Sequence, residues 1–301
     1  MNKHEPLILH EKSLDDVTEK VYGAGVSVSA RLRVSGGDIN DAYLISLSDG
    51  QKVFLKENSA SNEDFFRAET EGLGAIAQTG AIGVPCPHAY GTCGGKSFLL
   101  MEYIGSAREA RGFWEDFGHA LSTLHMADTK PYTGTGRYGF IHDNYIGAGP
   151  QDNSVKDTWV DFFRECRILK QFERAKDMLP GEDAASIERL MSHLSDYIPE
   201  PDRPSLIHGD LWGGNFITGP HGQAMLIDPA VYVGSAEADI AMTQLFGGFA
   251  HAFYDSYKES GLIKPGYSDR RDIYNLYHML NHVNLFGPMY LGSVHNLVSR
   301  Y

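Results

Sequence analysis

Asp210, Asn215 and Asp228 are the residues whose types and spacing could do chemistry together. The stretch Ile207-His208-Gly209-Asp210-Leu211-Trp212-Gly213-Gly214-Asn215 places a carboxylate and an amide five positions apart on one loop. Downstream, Leu226-Ile227-Asp228-Pro229-Ala230 supplies a second carboxylate. It ends the apolar run Ala224-Met225-Leu226-Ile227, which reads as a strand returning to the same place. Phosphoryl transfer needs such a set: a carboxylate to accept a hydroxyl proton, an amide oxygen to hold metal, and a second carboxylate to hold metal from the next strand. A lone Asp-Gly or Asp-Pro is usually a turn residue. Two acids and an asparagine in this register, bracketed by strand-like segments, point instead to Asp210 as the base and to Asn215 and Asp228 as metal ligands.

Charge for the phosphates has one good candidate. Lys56 ends the strand-like Val53-Phe54-Leu55-Lys56. A strand-end lysine by itself is usually just solvated. Here the helix that follows carries Glu69, which could form the Lys–Glu ion pair this chemistry uses. Glu71 competes for that role but points elsewhere, because residues two apart on a helix do not share a face. Gly36 and Gly37, in Ser35-Gly36-Gly37-Asp38-Ile39-Asn40, could let backbone N–H groups approach phosphates, although a hairpin turn has the same geometry.

Two other patterns are set aside. Gly91-Thr-Cys-Gly-Gly95-Lys96-Ser97 is one residue short of a phosphate-binding P-loop and runs into a strand, so it reads as a hairpin turn. His278 and His282 share a helix face, but Met279 stands where a metalloprotease needs Glu, so both read as packed or surface histidines.

These residues need elements to position them. Ser13 to Asp16 is a capping-box pattern and predicts a short helix. Val26, Val28, Ala30, Leu32 and Val34 alternate as in a strand. Ala42 to Leu47 and Lys52 to Lys56 follow across the turn signals Gly36-Gly37-Asp38 and Asp49-Gly50. Three antiparallel strands are the plain reading. A helix is expected over Glu63 to Gln78, then a loop through Pro85 and Pro87, then a strand over Ser97 to Tyr103. Beyond Ile104 the periodicity turns helical, with apolar stripes led by Phe113, Trp159 and Ile187. The expected fold is α+β and two-lobed: an N-terminal lobe (1–103) with an antiparallel sheet and a helix, and a mainly helical C-terminal lobe (104–301), with a cleft between them.

Composition narrows the partners. The chain has 301 residues, 42% hydrophobic and 22% charged, enough for two lobes with a sizeable core. A net charge of -13 disfavours a nucleic-acid partner, which needs clustered Lys and Arg. Three cysteines without a C-x-x-C predict neither a disulfide framework nor a zinc site. No uncharged apolar run approaches the ~20 residues of a membrane span, and the first residues do not resemble a signal peptide, so a cytoplasmic protein without a membrane partner is expected.

His208-Gly-Asp-Leu-x-x-x-Asn215 differs by one letter from the H-R-D-L-x-x-x-N catalytic loop of protein kinases, and Lys56 resembles their V-A-I-K lysine. No A-P-E follows Asp228, which argues against a protein kinase. The chain more closely resembles the fructosamine (ketosamine) kinase family, within the aminoglycoside-phosphotransferase-like branch of the protein-kinase-like fold. The residues that carry this resemblance are His208 to Asn215 with Ile227-Asp-Pro-Ala230, Tyr138-Gly-Phe140, Asp143-Asn-Tyr-Ile-Gly147, Glu237-Ala-Asp239, Leu245-Phe-Gly-Gly-Phe249, and Leu276 to His282 with Asn284-Leu-Phe-Gly287.

The resemblance implies transfer of the ATP γ-phosphate, with Mg2+, to the 3-hydroxyl of a ketoamine, free or linked to a protein. Such phosphorylation makes the adduct labile and would repair glycated amines. It gives Lys56 and Glu69 the phosphates, Asn215 and Asp228 the metal, and Asp210 the substrate hydroxyl. The Glu102 carbonyl and Ile104 N–H would hold adenine, and Trp212 would offer its face to substrate. Some relatives carry a cysteine in the glycine-rich loop where Asp38 stands, so thiol control there is not expected. An aminoglycoside, choline or sugar kinase of the same fold, or a nucleotide-binding module without transfer activity, is the alternative.

Overall fold

A computed structural model describes residues 5–34 and 39–301. Gly36 and Gly37, assigned above to the phosphates, and Asp38 lie outside the described residues.

The N-terminal lobe is built from β1 (Leu7–Glu11), α1 (Leu14–Tyr22), β2 (Val28–Val34), β3 (Asp41–Leu47), β4 (Lys52–Ser59), α2 (Glu63–Thr79), β5 (Pro87–Cys93) and β6 (Lys96–Glu102). Ser13 caps α1 in the reciprocal box its spacing predicts. The sheet order is β1-β5-β6-β4-β3-β2. Neighbours are antiparallel except at one edge, where β1 runs parallel to β5 with Leu7 opposite Ala89.

This corrects two readings. The segment expected as a loop after Pro87 is a strand, and the sheet is mixed at that edge. Gly91 held the clue: a Cβ there would sit 1.9 Å from the Leu9 carbonyl oxygen, so only glycine lets β1 approach. The β5–β6 connection is a tight hairpin with Gly94 and Gly95 both at positive φ (55° and 82°), as expected for the Gly-rich pattern set aside above. The alternation along β2 does mark a strand, yet its side chains are not buried. It is the sheet's outer edge, and Leu32 is 64% exposed.

The C-terminal lobe continues with α3 (Phe113–His125), α4 (Lys130–Thr133), and a hairpin of β7 (Asn144–Ile146) and β8 (Gly149–Gln151). Next come α5 (Trp159–Phe162), a π-helical stretch Phe163–Ile168, α6 (Leu169–Ala175), α7 (Gly181–Ser192) and α8 (Leu194–Tyr197). Four short strands follow: β9 (Ser205–Ile207), β10 (Phe216–Thr218), β11 (Ala224–Leu226) and β12 (Tyr232–Gly234). Helices α9 (Ala236–Leu245), α10 (His251–Lys258), α11 (Tyr267–Phe286) and α12 (Leu291–Val298) complete the lobe. One hydrophobic core joins the stripes of α3, α5 to α7 and α11, with Trp159, Phe162, Phe163 and Leu280 fully covered. Covering side chains of this size stabilises by about 1.5–3 kcal/mol each, so the lobe is a rigid base for its loops. No helix among the described residues is long and apolar enough to cross a membrane.

Candidate active site

Two small ladders bring the acidic loops together. Antiparallel β9–β12 pairs Ile207 with Tyr232, and antiparallel β10–β11 pairs Phe216 with Leu226. The loop 208–215 leaves β9 and enters β10; the segment 227–231 leaves β11 and enters β12. Between the ladders, Ile227 N–H donates to the Asn215 carbonyl (3.1 Å) and Ala230 N–H to the His208 carbonyl (2.9 Å). Gly209 has φ 82°, and a Cβ there would lie 2.1 Å from the Ala230 oxygen. Glycine after His208 is therefore what allows the two segments to touch.

His208 fixes the register. It is buried, and desolvation lowers its pKa despite the nearby Asp239 charge, so the ring is neutral. Its Nε2 meets the Ile227 carbonyl at 2.9 Å, which makes Nε2 the protonated nitrogen. Nδ1 is then the acceptor that faces Asp210 N–H at 3.3 Å.

The loop is also held from below. Asp239, 1% exposed on α9, accepts His208 N–H (2.7 Å) and Gly209 N–H (2.8 Å). His125 Nε2 lies 3.1 Å from the same carboxylate, and Tyr257 OH lies 2.6 Å from His125 Nδ1. Burial would raise the Asp239 carboxyl, but the His125 hydrogen bond and the loop N–H groups outweigh it and keep it low. Asp239 entered the sequence reading only as part of a motif. His125, at the end of α3, was not singled out in the sequence at all.

Asp210 sits above this anchor. Asn215 Nδ2 donates to the Asp210 carbonyl (2.8 Å) and to its Oδ2 (3.1 Å). Desolvation pushes the Asp210 carboxyl up to about 7, with Asp228 and Asp239 adding to the rise and Asn215 opposing it. A carboxyl near neutrality can both take and release a proton at working pH.

Across the cleft, Lys56 Nζ pairs with Glu69 Oε1 at 2.6 Å and also bonds Asp228. Glu71 is elsewhere, joined to Arg67 and His142, so the choice between the two glutamates follows the helix geometry. Burial would lower the Lys56 pKa, but Asp228 and Glu69 outweigh it and hold the lysine charged. Burial raises Glu69, although Lys56 opposes the rise, while the lysine keeps Asp228 low against its own desolvation. Two acids thus share one cation. Asp228 has φ 53°, the one non-glycine residue at positive φ among the described residues, and its side chain is 45% exposed to the cleft. A strained, half-open carboxylate is what a ligand-holding role would require.

The remaining assigned residues lie at the rim. β6 ends at Glu102, whose N–H donates to the Cys86 carbonyl (2.8 Å) and whose Oε2 accepts Cys86 N–H (3.2 Å). Ile104 lies in the connection that follows. Trp212 is 40% exposed, so it is not a core residue. Its indole lies over Gly214, where a Cβ would come within 2.4 Å of the ring, and its edge meets Phe246. His282 continues that aromatic wall, 5.2 Å from Phe246 between ring centres. His278 is covered, and desolvation drives it down to about 3, which fits a packed neutral ring.

A kinase-like phosphotransferase is the class this architecture defines. A model of the fructosamine kinase family matches residues 11–301. A probable ketoamine kinase of Synechocystis sp. is 41% identical over 89% of this chain and 88% of its own length. The chloroplastic protein-ribulosamine 3-kinase of Oryza sativa subsp. japonica is 35% identical over 93% of this chain and 80% of its own. The crystal structure of a Haemophilus somnus protein assigned as a fructosamine-3-kinase gives a TM-score of 0.84 at 29% identity, over 96% of both chains. The chain belongs to the fructosamine kinase family.

Proposed function

We propose that the cleft transfers the γ-phosphate of ATP to the 3-hydroxyl of a sugar-derived ketoamine, with Asp210 taking the hydroxyl proton. The activity class follows from the family: the chain is a ketosamine kinase, a phosphotransferase with an alcohol group as acceptor. The observation that carries the residue roles is the convergence of Lys56, Glu69 and Asp228 in one ion-pair cluster beside the Asp210–Asn215 loop.

The donor set fits Mg2+. Asp228 offers a carboxylate open to the cleft, and Asn215 spends its amide nitrogen on Asp210, which leaves its oxygen for a hard cation. A bound Mg2+ would neutralise charge on the phosphates. Lys56, held charged by its two acids, would reach the same phosphates, and Glu69 would keep it extended. Asp210 would orient the 3-hydroxyl and accept its proton as the oxygen bonds to phosphorus and the bond to the ADP leaving group breaks. The Glu102 carbonyl and Ile104 N–H would hold adenine where the lobes 1–103 and 104–301 meet. The exposed face of Trp212 would bound the acceptor. The acceptor is a ketoamine on a free amine or on a protein, and its phosphorylation would serve deglycation in a reducing, cytoplasmic setting.

The test is Mg2+-dependent ADP release with ribulosyl-, erythrulosyl- and fructosyl-amines beside aminoglycosides and choline, with the phosphate located by NMR. Turnover on ketoamines at the 3-hydroxyl is expected. Turnover only on an aminoglycoside or choline would overturn the substrate and keep the roles; MgATP binding without any acceptor-dependent turnover would favour a non-catalytic module.

A further inference from the structure

The motif Asp143-Asn144-Tyr145-Ile146-Gly147 has no part in the chemistry above, yet the structure places it between the two halves of the cleft. Helix α2 carries Glu69 toward Lys56 on one face. On another face, Arg67 links Asp64 (Nε to Oδ1, 2.6 Å) and Glu71 (Nη1 to Oε2, 2.7 Å). Each of these acids takes a second partner from the C-terminal lobe. Tyr145 OH donates to Asp64 Oδ2 at 2.9 Å, and His142 Nδ1 lies 3.0 Å from Glu71 Oε2. The Tyr145 ring also packs on Phe65, 4.1 Å between ring centres. Burial, with Asp64 beside it, pushes the Tyr145 hydroxyl up to about 12, so it remains a donor at any working pH.

The same strand holds the metal-side segment from its opposite face, as the two-residue period of a strand requires. Asn144 Nδ2 donates to the Val231 carbonyl at 2.8 Å, and Gln151 Nε2 to the Ala230 carbonyl at 3.0 Å. Asn144 Oδ1 in turn accepts from Gln151 (2.7 Å) and Asn153 (2.9 Å), and all three side chains are buried. One short strap therefore grips Ala230–Val231, just past Asp228, with its inner side and the N-terminal half of α2 with its outer side. The C-terminal half of α2 is fixed independently. Tyr132 OH donates to the Ala75 carbonyl (3.1 Å), and Gly72 lies so close to Pro229 that a Cβ would meet its ring at 3.2 Å. The half of the helix nearest Glu69 rests on the N-terminal sheet through Phe66, buried against Leu99 and Met101, and the strap is what ties that half to the C-terminal lobe beside Asp228.

We propose that Tyr145 and His142 are positioning residues that hold helix α2 so that Glu69 keeps Lys56 aligned with Asp228. In this chain α9 begins at Ala236, soon after Asp228, which leaves no long segment to order the helix from that side. The strap supplies that contact instead. This inference rests on the phosphate role proposed for Lys56 and Glu69.

The experiment is steady-state kinetics of Tyr145→Phe, Tyr145→Ala and His142→Gln, each also placed in a Glu69→Gln background, with Tm measured throughout. Tyr145→Phe keeps the ring on Phe65 and deletes only the hydrogen bond, so it tests the idea if Tyr145→Ala folds poorly. Tyr145→Ala is expected to lower kcat/KM for ATP about tenfold, Tyr145→Phe and His142→Gln about threefold, with the ketoamine KM unchanged within about twofold. In the Glu69→Gln background the same changes should add little, because residues that act through one another are not additive. Equal losses in both backgrounds, or a parallel rise in the ketoamine KM, would overturn the proposal. A failure of the underlying reading would look different: wild type without ketoamine-dependent ADP release, or Glu69→Gln with unchanged ATP kinetics.

Discussion

The Asp210 loop and the lysine cluster face each other across the cleft but are built on opposite principles. The loop 208–215 is fixed inside one lobe by backbone hydrogen bonds to a single buried carboxylate, Asp239, backed by His125 and Tyr257. The cluster of Lys56, Glu69 and Asp228 is assembled from both lobes by charge. The first is a rigid mount that needs no ligand to stand. The second carries one more acid than base, so its state changes with pH and with any cation that competes for Asp228. Geometry is stored in the loop, and responsiveness in the cluster.

Removing the group that the mount presents should have the largest effect. Asp210→Asn is expected to cut turnover by about 10² to 10⁴-fold while MgATP still binds, measured by ADP release and by nucleotide titration. The same change should stabilise the fold, with a definite pH signature. The Asp210 carboxyl is raised in the folded state from 3.8 to about 7, so its ionisation opposes folding. That cost is absent below about 4, grows between about 4 and 7, and is complete above 7. Asp210→Asn should therefore raise Tm at pH 8 and leave it unchanged at pH 4. A Tm gain that ignores pH would show that the raised pKa is not its source.

Breaking the mount itself comes next. Asp239→Asn replaces one accepting oxygen with a donor that faces a backbone N–H. Turnover is expected to fall about 10 to 100-fold together with a clear loss of Tm, since removing one partner from a buried charged network costs about 3–5 kcal/mol. If Asp239→Asn were inactive but fully stable, the loop would owe its shape to the two ladders rather than to the carboxylate.

Lys56→Met tests the charge-built side. It removes the cation that opposes the burial-driven rise of Glu69, so in the variant that carboxyl is raised further than in wild type. The Tm loss should therefore grow as pH rises above about 7, where wild-type Glu69 ionises beside Lys56 and the variant's ionises at a cost, and shrink toward pH 7 and below. A pH-independent loss would indicate that Lys56 acts by packing. The mildest expectation concerns wild type. Asp210 accepts a proton only when ionised, so kcat/KM for the acceptor should rise with pH and level off above about 7, with a limiting slope of about tenfold per unit on the acid side.

The legible part of this protein was its local chemistry. Asp210, Asn215 and Asp228 declared themselves by residue type and register, and Glu69 was separable from Glu71 because the helix period alone puts them on different faces. Ser13 and Gly94-Gly95 named a cap and a hairpin in the same way. The parallel edge strand β1 was not read, because pairing between distant segments leaves no mark on a short apolar run. Only Gly91, where a side chain would strike the Leu9 carbonyl, hinted at it. The strand β2 was legible from its alternation, but its exposure was not: alternation says where side chains point, and not what lies beyond them.

The sequence by itself determined which residues could accept a proton, hold a cation or carry a charge, because those capacities belong to side chains. Tertiary structure alone decided the rest. It set Asp210 near neutrality by burying it beside two other acids, forced Asp228 to positive φ, and placed Asp239 under two backbone N–H groups thirty residues away in sequence. Desolvation and long-range contact are properties of the packed chain, and they are what turn a set of suitable residues into a site.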